Sequence, residues 1–215
     1  MSDFATARRM MVDGQVRTYD VTDPAVLSAM LAVPRERFVP VDRVSVAYID
    51  TDVPVGGGRA LVKPMVLAKL LQAAAVRPGD RVLDLGCATG YAAAVLARMG
   101  ARVVALEEAA ALANQAKQAL ADVENVTVVE GPLAAGWSSL GPYDVILING
   151  AVEVVPAALF TQLAPGGRIL GIVGEPPASR AMLFGASHGN GSGRVIFDAN
   201  AGRLPGFAKP AVFAF

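Results

Sequence analysis

The stretch Val82-Leu83-Asp84-Leu85-Gly86-Cys87-Ala88-Thr89-Gly90-Tyr91 constrains the fold more than any other part of the chain, because it joins a buried strand to a helix through a turn of small residues. Arg81 to Leu85 is a short apolar run of the kind found in a parallel-sheet strand covered on both faces. Gly86 and Gly90 remove side chains where the backbone must bend sharply or let a ligand approach. From Tyr91 the chain reads as a helix, with Ala92, Ala93, Val95, Leu96 and Ala97 giving it an apolar, closely packing face. A strand, loop and helix joined this way belong to a Rossmann-type sheet, whose ligands lie at the carboxyl ends of the strands.

The spacing within the turn selects the ligand. A dinucleotide fingerprint places three glycines as G-x-G-x-x-G, the middle one admitting the pyrophosphate. Here the pattern is Asp84-x-Gly86-x-Ala88-x-Gly90, which suits a nucleoside without phosphates. The D-x-G-x-A-x-G form resembles the first motif of class I S-adenosylmethionine-dependent methyltransferases. A second strand, Arg102 to Leu106, runs into Glu107, whose carboxylate can accept both ribose hydroxyls. The competing reading of Glu107 is that it opens the next helix, where negative charge favours the helix dipole.

Five strand-like runs alternate with helices: Arg81–Leu85, Arg102–Leu106, Val126–Glu130, Asp144–Asn149 and Arg168–Gly174. This alternation predicts a mostly parallel α/β sheet. Arg180–Ala186 and Arg194–Asp198, flanking the glycine-rich segment from His188 to Gly193, predict an antiparallel hairpin at its edge. Ahead of the sheet, Phe4 to Arg17 has helical spacing, and a second helix starts at Pro24 with Asp23 as its cap. The expected architecture is therefore a Rossmann-like class I methyltransferase fold with an N-terminal helical cap. Residues 1–64 form the cap and substrate loop, and residues 65–215 form the S-adenosylmethionine-binding core, the two making one compact unit. Val53 to Lys63 contains three consecutive glycines and reads either as a lid or, on composition alone, as a flexible connector.

Composition narrows the function classes. Nineteen basic residues balance nineteen acidic ones, so no global field favours nucleic acid. The hydrophobic fraction of 53% indicates a large core. Even so, no apolar run reaches the roughly 18 residues of a membrane span. Cys87 is the single cysteine, so neither an intrachain disulfide nor a CxxC metal pair is available, and no metal is expected. The start of the chain, Met1-Ser2-Asp3-Phe4, lacks the basic and apolar regions of a signal peptide, which predicts a cytoplasmic protein.

Taken in order, these pieces resemble the protein-L-isoaspartate O-methyltransferase family from about Val12 to Gly174. The segments that carry the likeness are Val33-Pro34-Arg35-Glu36-Arg37-Phe38-Val39-Pro40, Ala47-Tyr48-Ile49-Asp50, Val82 to Tyr91, Asn125-Val126, Gly141-Pro142-Tyr143-Asp144, Val154-Val155-Pro156 and Gln162-Leu163-Ala164-Pro165-Gly166-Gly167. The resemblance implies S-adenosylmethionine as cofactor, S-adenosylhomocysteine as product, and a carboxylate of a protein or peptide as methyl acceptor. It implies cofactor contacts from Asp84, Gly86, Cys87, Ala88, Gly90 and Tyr91 in the turn. Glu107 and Glu108 after the second strand, Gly131 and Pro132 after the third, and Asn149 after the fourth complete the implied set.

Departures from the family fall near the chemistry. Where the family carries a loop like G-Q-T-I-S-Q-P, with hydroxyls that contact the substrate carboxylate, this chain has Gly58-Arg59-Ala60-Leu61-Val62-Lys63-Pro64. Ala60 and Val62 remove both hydroxyls, so Val62 marks the position of a lost catalytic group and isoaspartyl activity is expected to be weak or lost. Arg59 and Lys63 offer compensating positive charge for a carboxylate, or are solvated loop charges. Gly131-Pro132 replaces the usual Gly-Asp and cannot offer the adenine amino group an acidic acceptor. A rival function from these same losses is a non-catalytic protein that binds the cofactor or a partner.

Other residues carry two readings each. Cys87 is a reactive thiol at a helix start or a small filler. His188 is a catalytic histidine or a loop residue. Asn149 and Glu153 are polar pocket groups beyond the fourth strand, whereas Asp144 opens that strand too early to reach the site. Trp137 lies beside the adenine or packs a loop.

Overall fold

The computed structural model describes residues 3–185 and 193–208. A two-stranded antiparallel hairpin, β1 (Val53–Gly56) and β2 (Arg59–Leu61), precedes a seven-stranded sheet. Five strands of that sheet run parallel: β3 (Arg81–Leu85), β4 (Arg102–Glu107), β5 (Val126–Glu130), β6 (Tyr143–Val152) and β7 (Leu163–Val173). Two antiparallel strands, β8 (Arg180–Gly185) and β9 (Arg194–Asp198), close one edge. The spatial order β5-β4-β3-β6-β7-β8-β9 puts the reversal of winding between β3 and β6, so the crevice opens beside their carboxyl ends.

Alternation along the strands explains how the sheet is covered. Val82, Val103, Ala105, Val145 and Leu147 point into one apolar cluster, while Leu83, Leu85, Val104, Leu106 and Ile146 point into the other. Burying a Val or Leu side chain contributes roughly 1.5 to 3 kcal/mol, so a register slip would reverse both faces and is strongly disfavoured. The first face is covered by α3 (Pro64–Ala74), α4 (Tyr91–Arg98) and α5 (Ala110–Ala119). The second is covered by Leu133, by Leu159 of the short α6 (Ala157–Phe160), and by Leu204 and Phe207 of the tail. Among the described residues no helix is long and apolar enough to cross a membrane.

The N-terminal cap begins with α1 (Phe4–Met11), which continues as one wide π turn over Val12–Val16 and tightens over Arg17–Tyr19. Its second helix, α2 (Pro24–Ala32), starts as the sequence predicts, with the Asp23 carboxylate accepting from the Ala25 and Val26 amides. Met11, Val16, Val26 and Met30 of the cap share one cluster with Leu67 and Leu71 of α3 and Leu96 of α4. Arg35, in the charged segment that follows α2, is wholly buried. It donates from Nε to the Ala47 carbonyl at 2.8 Å and from Nη2 to the Val62 carbonyl at 3.0 Å, with its guanidinium 4.7 Å from the Tyr91 ring centroid. The cap is thus fastened both to the start of α4 and to the segment just after β2.

The structure corrects several expectations. Val53 to Lys63 is not a flexible connector: Val53 pairs with Leu61 and Pro54 with Ala60, and Val53, Val55 and Leu61 are buried. Alternation of buried and exposed residues in so short a strand was hidden by the adjacent glycines. Strand β6 extends three residues past Asn149, so Asn149 lies within the strand rather than beyond it. His188 and the loop around it lie outside the described residues, as do Phe213 and Phe215 of the tail. Among the described residues there is no cluster of His, Cys, Asp or Glu that could hold a metal ion.

Candidate functional site

The turn after β3 is built against the end of β4. Both Gly86 and Cys87 amides donate to the Leu106 carbonyl, at 2.8 and 3.0 Å, which brings the turn over Glu107. Gly86 and Gly90 have φ of +82° and +96°, values at which a Cβ is strained. Ala88 adopts φ +52° despite its Cβ, and its amide donates to Glu107 Oε2 at 2.8 Å. A non-glycine residue held in the left-handed region is the kind of local strain that accumulates at functional sites.

Glu107 is 1% exposed. Its Oε1 accepts from the Glu108 and Ala109 amides at 3.0 and 3.2 Å, so the start of the following segment orients the carboxylate. The third donor on Oε1 is Arg59 Nη1 at 3.1 Å, and Arg59 Nη2 donates to the Gly86 carbonyl at 2.7 Å. Arg59 is buried, 6% exposed, so it is not a solvated loop charge; its guanidinium pairs with the protein's own acid.

Asp84 lies deeper in the same crevice, at the point where β3 meets β6. Its Oδ1 accepts from Asn149 Nδ2 at 3.2 Å, while its Oδ2 is buried with no hydrogen-bond partner. Burial raises its carboxyl to about 7, with the neighbouring Glu107 charge adding to the rise and the Asn149 hydrogen bond opposing it.

The other candidates separate into residues at the crevice and residues spent on packing. Tyr91 packs edge-on against Phe38, with centroids 5.7 Å apart, and beneath Arg35, so its ring serves the cap rather than the crevice. Cys87 is fully buried and its thiol is pushed up, first by burial and then by the Asp84 and Glu107 charges, which leaves the filler role. Glu108 and Pro132 point to solvent. A Cβ on Gly131 would stand 2.8 Å from Trp137 Cζ3, so the indole lies flush against the backbone after β5. Val62 is buried in the cap-side cluster, and the Lys63 amide donates to Asp52 Oδ1 at 2.8 Å. Asp144 accepts from the Arg81 amide at 2.8 Å, at the amino end of the strands and away from the crevice.

Two residues at the site gave no warning in the sequence. Leu204 lies across the turn, with its Cδ2 3.1 Å from where a Gly86 Cβ would be and 2.6 Å from the corresponding point on Gly150. Arg203 bridges Glu153 at 2.9 Å and Glu175 at 2.6 Å. Hydrogen bonds between Ala151 and residues 202 and 204 hold this part of the tail along β6.

The family model for protein-L-isoaspartate(D-aspartate) O-methyltransferase matches residues 7–198. The chain belongs to the protein-L-isoaspartate O-methyltransferase family. It is 45% identical over 182 residues to the protein of that name from Methylorubrum extorquens, covering 84% of this chain and 79% of the relative. The Methylorubrum populi protein of the same name is 44% identical over 184 residues, 85% of each chain. A solved protein-L-isoaspartate O-methyltransferase superposes with a TM-score of 0.79 at 27% identity, covering 94% of this chain and 66% of that one. A Plasmodium falciparum structure in complex with S-adenosyl-L-homocysteine shares the fold, with a TM-score of 0.77 at 20% identity over 95% of this chain and 99% of its own.

S-Adenosylmethionine can be tested against the residues of this family member directly. The crevice supplies a buried carboxylate acceptor, Glu107, and an unpartnered buried acceptor, Asp84 Oδ2, beside a turn whose glycines keep Cβ atoms away. The Arg59 guanidinium bridges Glu107 and the Gly86 carbonyl, so both acceptors are within reach of one donor group. In donor and acceptor chemistry the site fits the cofactor. The space above Gly86 is taken by the Arg59 and Leu204 side chains, which must move for a ligand to enter.

Proposed function

We propose that this chain is an S-adenosylmethionine-dependent methyltransferase that esterifies a carboxylate of a protein or peptide. The observation that carries the reading is the glycine turn after β3 held against a buried Glu107 at the reversal of the sheet. Glu107 is the ribose acceptor in this reading, with the Ala88, Glu108 and Ala109 amides fixing its orientation. Asp84, steadied by Asn149, presents its second oxygen to the cationic end of the cofactor.

The cofactor supplies an activated methyl on a sulfonium, and the acceptor carboxylate is already ionised at neutral pH, so the protein needs no general base. Its task is alignment, which can be worth roughly 7 to 11 kcal/mol, against about 1.5 to 3 kcal/mol for one charge-assisted hydrogen bond. A cavity of about 420 Å³ beside the crevice, lined by Gly58, Arg59, Val152, Leu204 and Phe207, suits a peptide side chain. Ala60 and Val62 present no hydroxyl to the acceptor, so recognition of the isoaspartyl carboxylate is weaker than with the G-Q-T-I-S-Q-P loop, while the alignment of methyl and acceptor survives.

Isotope-labelled cofactor mixed with an isoaspartyl peptide tests the reading. Base-labile labelled ester should form on the peptide, with a KM well above that of a family member carrying the threonine and serine. Failure to transfer label to the peptide or to any protein carboxylate in a lysate would reject methyl transfer.

A further inference from the structure

Resting on the methyltransferase reading above, we propose that Arg59 is a built-in competitor for the cofactor at Glu107, and that the guanidinium displaced by the cofactor becomes the cation that receives the acceptor's carboxylate.

Three observations carry this. Arg59 holds Glu107 Oε1 at 3.1 Å and the Gly86 carbonyl at 2.7 Å, so it occupies the ribose acceptor of this reading and the turn carbonyl beside it. Leu204 closes the same space from the tail side, its methyls 3.1 and 3.2 Å from the point where a Cβ on Gly86 would lie. Finally, Arg59 also lines the cavity of about 420 Å³ beside the crevice, so one residue borders both compartments.

The element that carries Arg59 is suited to exchange between them. Strand β2 is three residues long, pairs only with β1 and stands outside the main sheet. It is joined to β1 through Gly57 and Gly58, and little of the pairing needs to change for a long side chain to turn outward. An occupant that fills a site most of the time lowers the apparent affinity of any competing ligand by the fraction of molecules that stand open. Once a ligand holds Glu107, the arginine loses its counter-ion. A buried guanidinium without a partner is costly, so the side chain moves to the neighbouring cavity, where an acceptor carboxylate can pair with it in two-pronged geometry. Cofactor therefore binds first and prepares the acceptor site, and Arg59 supplies from a different position part of the carboxylate recognition lost with the hydroxyls at Ala60 and Val62.

Calorimetry on the full chain separates this from a structural role, because it requires two affinities to move in opposite directions. Arg59→Gln should bind S-adenosylhomocysteine at least tenfold more tightly than wild type. The same variant, loaded with S-adenosylhomocysteine, should bind an isoaspartyl peptide at least fivefold more weakly. Arg59→Lys, which keeps the charge but cannot bridge both acceptors, should be intermediate in cofactor affinity. Leu204→Ala removes the other half of the closure without touching the charge pair, and should also tighten S-adenosylhomocysteine binding if Arg59→Gln does not fold. Equal or weaker cofactor binding by the variants overturns the competition. Tighter cofactor binding with unchanged peptide affinity overturns the acceptor role. No binding of S-adenosylhomocysteine by wild type and variants alike rejects the methyltransferase reading itself, and the competition with it.

Discussion

Arg59 and Glu107 form an ion pair of 3.1 Å whose side chains are 5% and 1% exposed, joining the β1–β2 hairpin to the end of β4. Its partners are separated by 48 positions in sequence, and the link locks a two-stranded element onto the crest of the sheet. Pairs of this kind gain little net stability when intact, yet losing one partner leaves a buried charge uncompensated.

Replacing Glu107 by alanine is expected to destabilise the ligand-free protein by about 3 to 5 kcal/mol, the usual cost of orphaning a buried ion-pair partner. The Ala88, Glu108 and Ala109 amides lose their acceptor in the same change. Urea unfolding should show the midpoint fall with an unchanged slope. A loss under about 1 kcal/mol, the level of a surface pair, would contradict the buried geometry.

Gly90→Ala combines a φ of +96° with a new Cβ 2.6 Å from Leu120 Cδ1. Left-handed strain and overpacking together should cost about 2 to 4 kcal/mol. Gly202, with open space around the position of a Cβ, is the control, and its alanine variant should stay within about 0.5 kcal/mol of wild type. Thermal unfolding of both variants checks the contrast.

The carboxyl of Asp84, raised to about 7 in the folded chain, gives a pH signature. An unfolded aspartate titrates near 3.9, so between about pH 4 and 7 the folded state holds a proton that the unfolded state has released. The stability this group contributes is complete below about pH 4 and is lost as pH rises through about 7. Asp84→Asn abolishes the titration, so the variant should gain on wild type by a few kcal/mol from pH 5 to pH 8, at about 1.4 kcal/mol for each pH unit separating the folded and unfolded titrations. Parallel pH profiles for the two proteins would contradict the assignment.

Restoring a loop hydroxyl with Ala60→Thr, at a partly exposed position, should raise kcat/KM for an isoaspartyl peptide at least tenfold, since one hydrogen bond to a charged group is worth about 1.5 to 3 kcal/mol. Arg35 grips the backbone carbonyl of Val62, so the strand end stays in place when the side chain changes. Label incorporation under limiting peptide measures the gain. No gain would show that acceptor recognition does not depend on this position.

What the sequence displayed was what short-range chemistry controls. The β3 apolar run, the glycines of the turn and the acid ending β4 lie in two local segments, and each segment's residue types dictate its conformation without reference to the rest of the chain. The capping of α2 by Asp23 was legible for the same reason. Arg35 was not, because its partners are the carbonyls of residues 47 and 62 and the face of a ring at 91, and carbonyls leave no mark in a sequence. The β1–β2 hairpin was masked by Gly56, Gly57 and Gly58, whose composition signals a loop whether or not the flanking residues pair. Leu204 reached the site from a tail with no motif, placed there by hydrogen bonds to Ala151. The location of the crevice was thus readable, whereas the side chains that fill it depend on contacts between segments far apart in the chain.

A crystal structure of the full chain with sinefungin tests the central claim most directly. The account predicts that the ribose hydroxyls replace Arg59 on Glu107, that Asp84 Oδ2 gains a partner, and that the Arg59 guanidinium and Leu204 leave the space above Gly86. An intact Arg59–Glu107 pair at 3.1 Å, with the ligand bound elsewhere or absent, would contradict it.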